Sequence, residues 1–367
     1  MEPYEKVFVD SDFLEEDPHG QIPCSDCHGG DPSDSSWETA HKGVVKDPSF
    51  EKLAETCGNC HEKIAGAAPQ SVHYTLQPYW RNLYARMDTS NRAVLGKVKA
   101  AFKNHCQNCH SSCGQCHVSR PDAVEGGFVD GHFFHKRPDM ETNCTACHGS
   151  RVQKEFMGKN KGYPGDVHFI KGHMNCNRCH SADEMHTADG GAFNRYLVDK
   201  HQTCESCHPD AASQTSKVKM HSIHTGKVQC QVCHSVAYKN CYGCHVGKDA
   251  KGLPYYQVDS STMDFKIARN PLKSKKRPYD FVLVRHVPTN PHLFDYYVKD
   301  AFVRFDSLTT FKYATPHNIQ LRTPQTASCN ACHGNRELFL TEDSVPPGER
   351  TANRRIIVRE SDIPQKR

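Results

Sequence analysis

CQNCHSSCGQCH, residues 106–117, holds two Cys-x-x-Cys-His patterns separated only by Ser111 and Ser112. They are Cys106/Cys109/His110 and Cys113/Cys116/His117. Two thiols three residues apart on a short helical turn reach the two vinyl groups along one edge of a porphyrin. The next residue, His, then lies under the iron and supplies an axial imidazole. The pattern therefore reads as a c-type haem attachment site.

Working outward, the pattern recurs until all 20 cysteines are used. Upstream lie Cys24/Cys27/His28 and Cys57/Cys60/His61. Downstream lie Cys144/Cys147/His148, Cys176/Cys179/His180, Cys204/Cys207/His208, Cys230/Cys233/His234, Cys241/Cys244/His245 and Cys329/Cys332/His333. Disulfide frameworks, zinc knuckles and thioredoxin-like pairs also use Cys-x-x-Cys, but none requires His next in every copy. On composition alone, His after all ten pairs is an event on the order of one in 10¹². The sequence thus implies ten covalently bound haems c.

This changes what the composition means. Hydrophobic residues make up 37% of 367 residues, and the mean hydropathy is -0.72. That is poor for a large protein core, and ten apolar porphyrin plates make up the deficit. The haem-free chain is expected to be largely unfolded. The formal charge of +4 excludes the haem propionates, so it gives no support to nucleic-acid binding, and none is expected. The basic run Lys273–Arg277 reads as a solvated face or as propionate partners. No stretch reaches the 18 apolar residues of a transmembrane segment. Haem c is attached outside the cytoplasmic membrane, so Met1 is read as opening an exported, processed form. The expected location is extracellular or on the cell surface, alternatively periplasmic.

The expected fold is mostly irregular, with short α-helices wrapped around a chain of stacked c-type haems. A modest helix is predicted around 79–103. Residues 1–250 form a nine-haem electron-transfer region. Residues 251–328 form a haem-free, β-rich insertion, with strands near 251–320 predicted from Tyr255-Tyr256-Gln257-Val258 and Phe281-Val282-Leu283-Val284. Residues 329–367 carry the tenth site, an outlier in sequence, and a C-terminal arm. In that arm, Ile356-Ile357-Val358 reads as a short strand, closing its own sheet or docking on a neighbouring subunit.

The second axial ligand decides what the irons can do. Beyond the ten motif histidines there are fifteen others, against eight methionines. Bis-His ligation is therefore expected, giving low-potential, six-coordinate irons. The distal candidates are His41, His73, His105, His132, His168, His186, His221, His224, His286 and His317. His221 and His224 stand i, i+3 on one helical face and could serve two neighbouring irons. His135 competes with His132, whereas His19, His173, His201 and His292 read as surface or propionate-bonded residues.

The phrases CHSSCGQCHVSRP (109–121) and NCTACHGSRV (143–152), with the ten-motif array, resemble the multihaem c-type cytochromes of metal-respiring and sulfate-respiring microbes. That resemblance implies an electron-transfer protein with no catalytic residues. It would pass electrons to other redox proteins or extracellular acceptors, with a head-to-tail homopolymer (a cytochrome filament) as one form. The alternative is a multihaem oxidoreductase of the nitrite, hydroxylamine or tetrathionate type, with one open iron. The Cys-x-x-Cys-Lys motif typical of the nitrite reductases does not occur here.

Overall fold

The computed structural model describes residues 9–109, 111–186, 196, 198, 200–263 and 265–367, without the side chains of 151, 240–243 and 259–263. His110 and the Cys241 side chain fall outside the described residues. Nine motifs lie on or against short helical turns, as at Cys24–His28, Cys57–Asn59, Cys204–Cys207 and Cys230–His234. The turn often closes the same way. The His amide donates to the first Cys carbonyl at 2.8–2.9 Å in His61, His117, His180, His208 and His333.

Five motifs correct the expectation that one helical turn carries both thiols and the imidazole: motif seven ends its turn at Cys207 and motif ten at Ala331, and three others show the departure in detail. The first turn of motif two stops at Asn59, so Cys60 lies just past its end, with its thiol on the exposed surface. Cys179 is the last residue of the turn Cys176–Cys179 and is also exposed, and the backbone of His180 is already extended. The turns are short because Gly58-Asn59 and Asn177-Arg178 form no more than one hydrogen-bonded loop each, with no apolar face to extend it.

The third departure is the largest. Cys244 is not on a helical turn at all. Cys241–His245 lies within strand β1 (Tyr238–Lys248), paired antiparallel with β2 (Pro254–Met263). On a regular strand, residues three apart point to opposite faces, so the spacing of Cys241 and Cys244 loses the advantage it has on a helix. The pairing register shifts between Tyr242 and His245, as at a β-bulge, and Cys244 sits inside that irregularity, half-buried. The aromatic and β-branched run that suggested a strand at 255–258 thus draws the preceding motif into its own hairpin. A second sheet has order β3 (Phe265–Arg269), β4 (Phe281–His286), β5 (Phe311–Tyr313), all antiparallel.

The helix expected over 79–103 is two helices, α1 (Gln77–Arg86) and α2 (Arg92–His105). Local hydrogen bonds cause the break. Asp88 accepts from the Ser90 amide and hydroxyl, and the Asn91 side chain accepts from the Val94 amide, starting α2. Two further short helices matter below, α3 (Val167–Ile170) and α4 (Lys219–His224). No described helix is long and apolar enough to cross a membrane.

Contacts divide the chain into two compact units. The first comprises residues up to Arg81, Cys106–Gly149 and Asn175–His201, and carries motifs one to six. The second comprises Asn82–His105, Ser150–Met174 and Gln202–Arg367, and carries motifs seven to ten. In the second unit, one apolar cluster joins Met87, Val98 and Ala101 to Val246, Phe294 and Phe302. Another joins Val232, Ile267, Leu283 and Phe339 to Val358 and Ile363 of the tail.

That second cluster corrects the idea of a docking arm. Ile356 and Val358 are each 1% exposed. The Arg269 amide donates to the Ile356 carbonyl at 2.9 Å, and the Val358 amide donates to Leu340 at 2.8 Å. The triplet is turn and coil rather than the expected strand; Ile356 and Val358 pack within their own unit, and Ile357 is half-buried.

Candidate haem-binding sites

Seven imidazole pairs stand out among the described residues. They are His19–His61 (6.2 Å between ring centres), His28–His132 (6.4 Å), His73–His148 (6.2 Å) and His117–His186 (6.1 Å) in the first unit. In the second unit they are His168–His208 (6.0 Å), His221–His234 (6.0 Å) and His224–His333 (6.2 Å). Every pair joins one motif histidine to one from outside the motifs. Random pairing would mix the two kinds about half the time, so seven of seven is roughly a one in a hundred event.

The spacing has a simple meaning. A metal–imidazole bond of about 2 Å on each side and a ring radius of about 1 Å put the ring centres roughly 6 Å apart. The donor set at each pair is two thiols and two facing imidazoles, which fits a covalent haem held from both faces. No group of three or more His, Cys, Asp or Glu side chains converges to hold a bare metal ion among the described residues.

The second ring nitrogen is controlled as a haem ligand requires. Nδ1 of His28, His117 and His234 donates to the carbonyls of Val45 (2.7 Å), His135 (2.7 Å) and Gln320 (3.0 Å). The amides of those same three residues donate back to the carbonyls of His28, His117 and His234 at 2.7–2.8 Å. Each ring is thus gripped by a two-bond clasp from an adjacent extended segment. His224 donates Nδ1–H to Met220 at 2.8 Å, and His333 donates to Gln365 at 3.2 Å. A carbonyl can only accept, so the proton is fixed on Nδ1 and Nε2 keeps its lone pair for a metal. Burial, then the nearby His180, lowers the His73 pKa; burial with His117 does the same at His186, and burial with His234 at His221. Neutral imidazole is the ligating form.

Six of the distal candidates, His73, His132, His168, His186, His221 and His224, therefore face a motif histidine. The choice between His132 and His135 is resolved by geometry: His132 faces His28, while His135 clasps His117 through its backbone. His221 and His224, on the single turn-and-a-half of α4, face His234 and His333, two different motifs. His19, read from sequence as a surface residue, faces His61 instead. The signal was present, because Asp17-Pro18-His19 repeats the Asp-x-His of Asp166-Val167-His168.

The other four candidates have different surroundings. Nε2 of His105 meets the Tyr297 hydroxyl at 2.7 Å, and Nε2 of His286 meets Glu349 at 2.8 Å. In both, the nitrogen a metal would need is already engaged. His41 donates Nδ1–H to Trp37 at 2.7 Å, and His317 Nδ1 lies 3.5 Å from Glu155. At the remaining described motif histidines, His180 Nδ1 contacts Glu184 at 3.1 Å, and His245 Nε2 contacts the Asn290 amide nitrogen at 2.8 Å.

The thiols differ as the turns do. Cys60 shares its motif with His61, which faces His19, so that site has an imidazole pair although its second thiol is exposed. Cys179 and Cys244 belong to the motifs whose histidines, His180 and His245, contact Glu184 and Asn290. By contrast, burial raises the Cys113, Cys116 and Cys233 thiols, each to about 11.

Neighbouring motifs touch. Buried Asn143, next to Cys144, donates to Gln115 (3.1 Å) inside motif four and to Ser119 (2.8 Å). The Gly114 amide donates to Ser49 Oγ at 2.7 Å, and the Ser111 amide donates to His73 at 3.0 Å. Cys109 and Cys147 share a thiol hydrogen bond that draws Cys109 down to about 7 and pushes Cys147 up. Cys144 and Cys176 do likewise, with Cys144 at about 7, and so do Cys204 and Cys230. After burial, Cys332 is the second cause that raises Cys233. The tenth motif, remote in sequence, therefore sits beside the eighth.

No protein-family model matches the chain. No curated protein and no solved structure matches it either.

Proposed function

We propose that this chain is a decahaem c-type cytochrome whose work is electron transfer through bis-His haems. The observation that carries the reading is the set of seven motif–spare imidazole pairs at 6.0–6.4 Å, each beside a Cys-x-x-Cys pair. When bound, haem supplies a one-electron ferric–ferrous couple. The paired cysteines would tether each cofactor, and the imidazole pair at each of the seven sites would hold it from both faces and keep small ligands out. Backbone carbonyls fix the tautomers, so little rearranges when charge changes. Contacts between motifs four and five, five and six, seven and eight, and eight and ten support closely spaced carriers rather than isolated ones.

On the resemblance drawn from the motif array, we extend the proposal to extracellular or cell-surface electron transfer, with redox proteins or extracellular acceptors as partners and a head-to-tail homopolymer as one assembly. Mass spectrometry should show ten haems above the 41.3 kDa polypeptide. The oxidised protein should give only low-spin ferric signals, and the reduced protein should not bind carbon monoxide. Fewer than ten haems would overturn the cofactor reading. Negative-stain images showing only separate particles at high concentration would overturn the polymer.

One observation favours a second reading at one site. His245 Nε2 is held by the Asn290 amide and stands in none of the seven imidazole pairs, so a ninth iron lacking a second imidazole would make an oxidoreductase. Carbon monoxide bound at one haem in ten of the reduced protein, with turnover of nitrite, hydroxylamine or tetrathionate, would favour that reading.

A further inference from the structure

The three buried carboxylates among the described residues all lie against spare histidines. Asp17 is 7% exposed, Glu155 4% and Asp166 3%. A buried carboxylate is costly unless its charge is matched by hydrogen bonds, so this placement calls for a reason.

Two of them are built alike. Asp17 Oδ1 accepts from the His19 amide (2.9 Å) and from His19 Nδ1 (2.8 Å), while Oδ2 accepts from the Phe134 amide (2.8 Å). Asp166 Oδ1 accepts from the His168 amide (2.8 Å) and from His168 Nδ1 (2.8 Å), while Oδ2 accepts from the Ile319 amide (2.8 Å). Both are Asp-x-His, and both open a short helix, at Pro18–Gln21 and at α3. Helix capping explains the bond to the backbone amide. It explains neither the bond to Nδ1 nor the burial of the whole carboxylate. The other distal histidine with a named Nδ1 acceptor, His224, uses the neutral carbonyl of Met220.

We infer that Asp17 and Asp166 are positioning residues that lower the reduction potentials of the haems held by His19–His61 and His168–His208. The inference rests on the haem reading above. A carboxylate accepting Nδ1–H makes the imidazole a stronger donor through Nε2, which favours ferric iron. Its fixed charge, on a carboxylate largely buried from water, further opposes the gain of an electron. Each compact unit thereby holds one haem set low by an aspartate. His317, backed by Glu155, has the same chemistry in weaker geometry.

The test uses the whole holoprotein with Asp17→Asn and Asp166→Asn. Asparagine keeps the helix cap and an acceptor for Nδ1 but removes the charge, and gives up the bond that the second oxygen accepts from the Phe134 or Ile319 amide. In a spectropotentiometric titration, each variant should move about one-tenth of the reduced-haem absorbance to more positive potential, and the double variant two-tenths. The ferric electron-paramagnetic-resonance signal of one haem should shift as its ligand field weakens. Ten haems retained with an unchanged titration would overturn the inference and leave the haem reading standing, whereas fewer than ten in the wild type would overturn that reading itself. If an Asn variant lost its haem, the wild-type curve still decides. It must resolve at least two haems at its negative end, and a single step of ten equivalent haems would refute the assignment.

Discussion

Removing His224 should open one iron and leave the fold intact. His224 ends α4, its ring centre 6.2 Å from that of His333, and its Nδ1–H is bonded to Met220. In His224→Ala the Met220 bond is lost, at about 1 kcal/mol. Alanine is the better helix former, which returns roughly 0.5 kcal/mol. Apart from the iron bond itself, the balance is well below the roughly 5–15 kcal/mol margin of a typical domain, and two cysteines and His333 would still hold the haem, so the variant should fold and carry ten haems. Its effect should therefore appear in coordination. One high-spin ferric signal in ten should be seen, with one equivalent of carbon monoxide bound on reduction, and two equivalents in His221→Ala/His224→Ala. His105→Ala is the control, because its Nε2 is held by Tyr297. A His224→Ala protein with ten low-spin haems and no carbon monoxide binding would refute the pairing. So would a new open iron in His105→Ala.

Asn143→Ala orphans the Gln115 and Ser119 carbonyls between motifs four and five, and should destabilise the holoprotein by about 2–6 kcal/mol in guanidinium unfolding. A change under about 1 kcal/mol would show that those bonds do not join the motifs. Ending the chain at Val345 removes the side chains of Ile356, Val358 and Ile363 from the second unit, roughly 5–9 kcal/mol of apolar burial. The unfolding midpoint should fall sharply and the tenth site should lose its low-spin signal, whereas an unchanged midpoint would mean the tail is dispensable. Acid should weaken the fold by a route with a defined sign. His73, His186 and His221 are held below their ordinary 6.5 by burial and a nearby imidazole. The unfolded chain then takes up protons first, so their contribution is intact above that value and declines as pH falls through and below it. Thermal midpoints that stay flat between about pH 7 and 5 would contradict this.

The proposed attachment sites are legible in the sequence because Cys-x-x-Cys-His is largely a local rule: one helical turn can supply both thiols and the first imidazole. The rule has edges, and they show at Cys60, Cys179, Cys207 and Cys332, where the turn ends at or before the second thiol, and at Cys244, where a strand replaces it. The second imidazole obeys no local rule. His132 faces His28, and His73 faces His148, across long stretches of chain. Nearness in sequence points to His105 and His286, whose Nε2 atoms are taken by Tyr297 and Glu349. His221 and His224 are readable because one helix carries both. His19 is missed because its repeated Asp-x-His unit reads as a solvated turn. The β-rich stretch is visible in its aromatic and branched residues, but the capture of the ninth motif by β1 depends on a partner strand further along the chain. The tenth motif looks remote only because sequence distance does not measure the fold that returns it to the eighth.

The crossed ligand pairs also bear on the denatured chain. A haem fixed at one motif and gripped by an imidazole elsewhere closes a loop, short from His221 to His234 and long from His28 to His132 or His224 to His333. Loops that persist in the unfolded ensemble reduce its entropy, as disulfide cross-links do, and the cost of closure grows only slowly with length. If axial bonds survive mild denaturation, the chain unfolds into a laced, compact coil rather than a free one. The spare histidines would then act as staples on the disordered state as well as ligands in the native one.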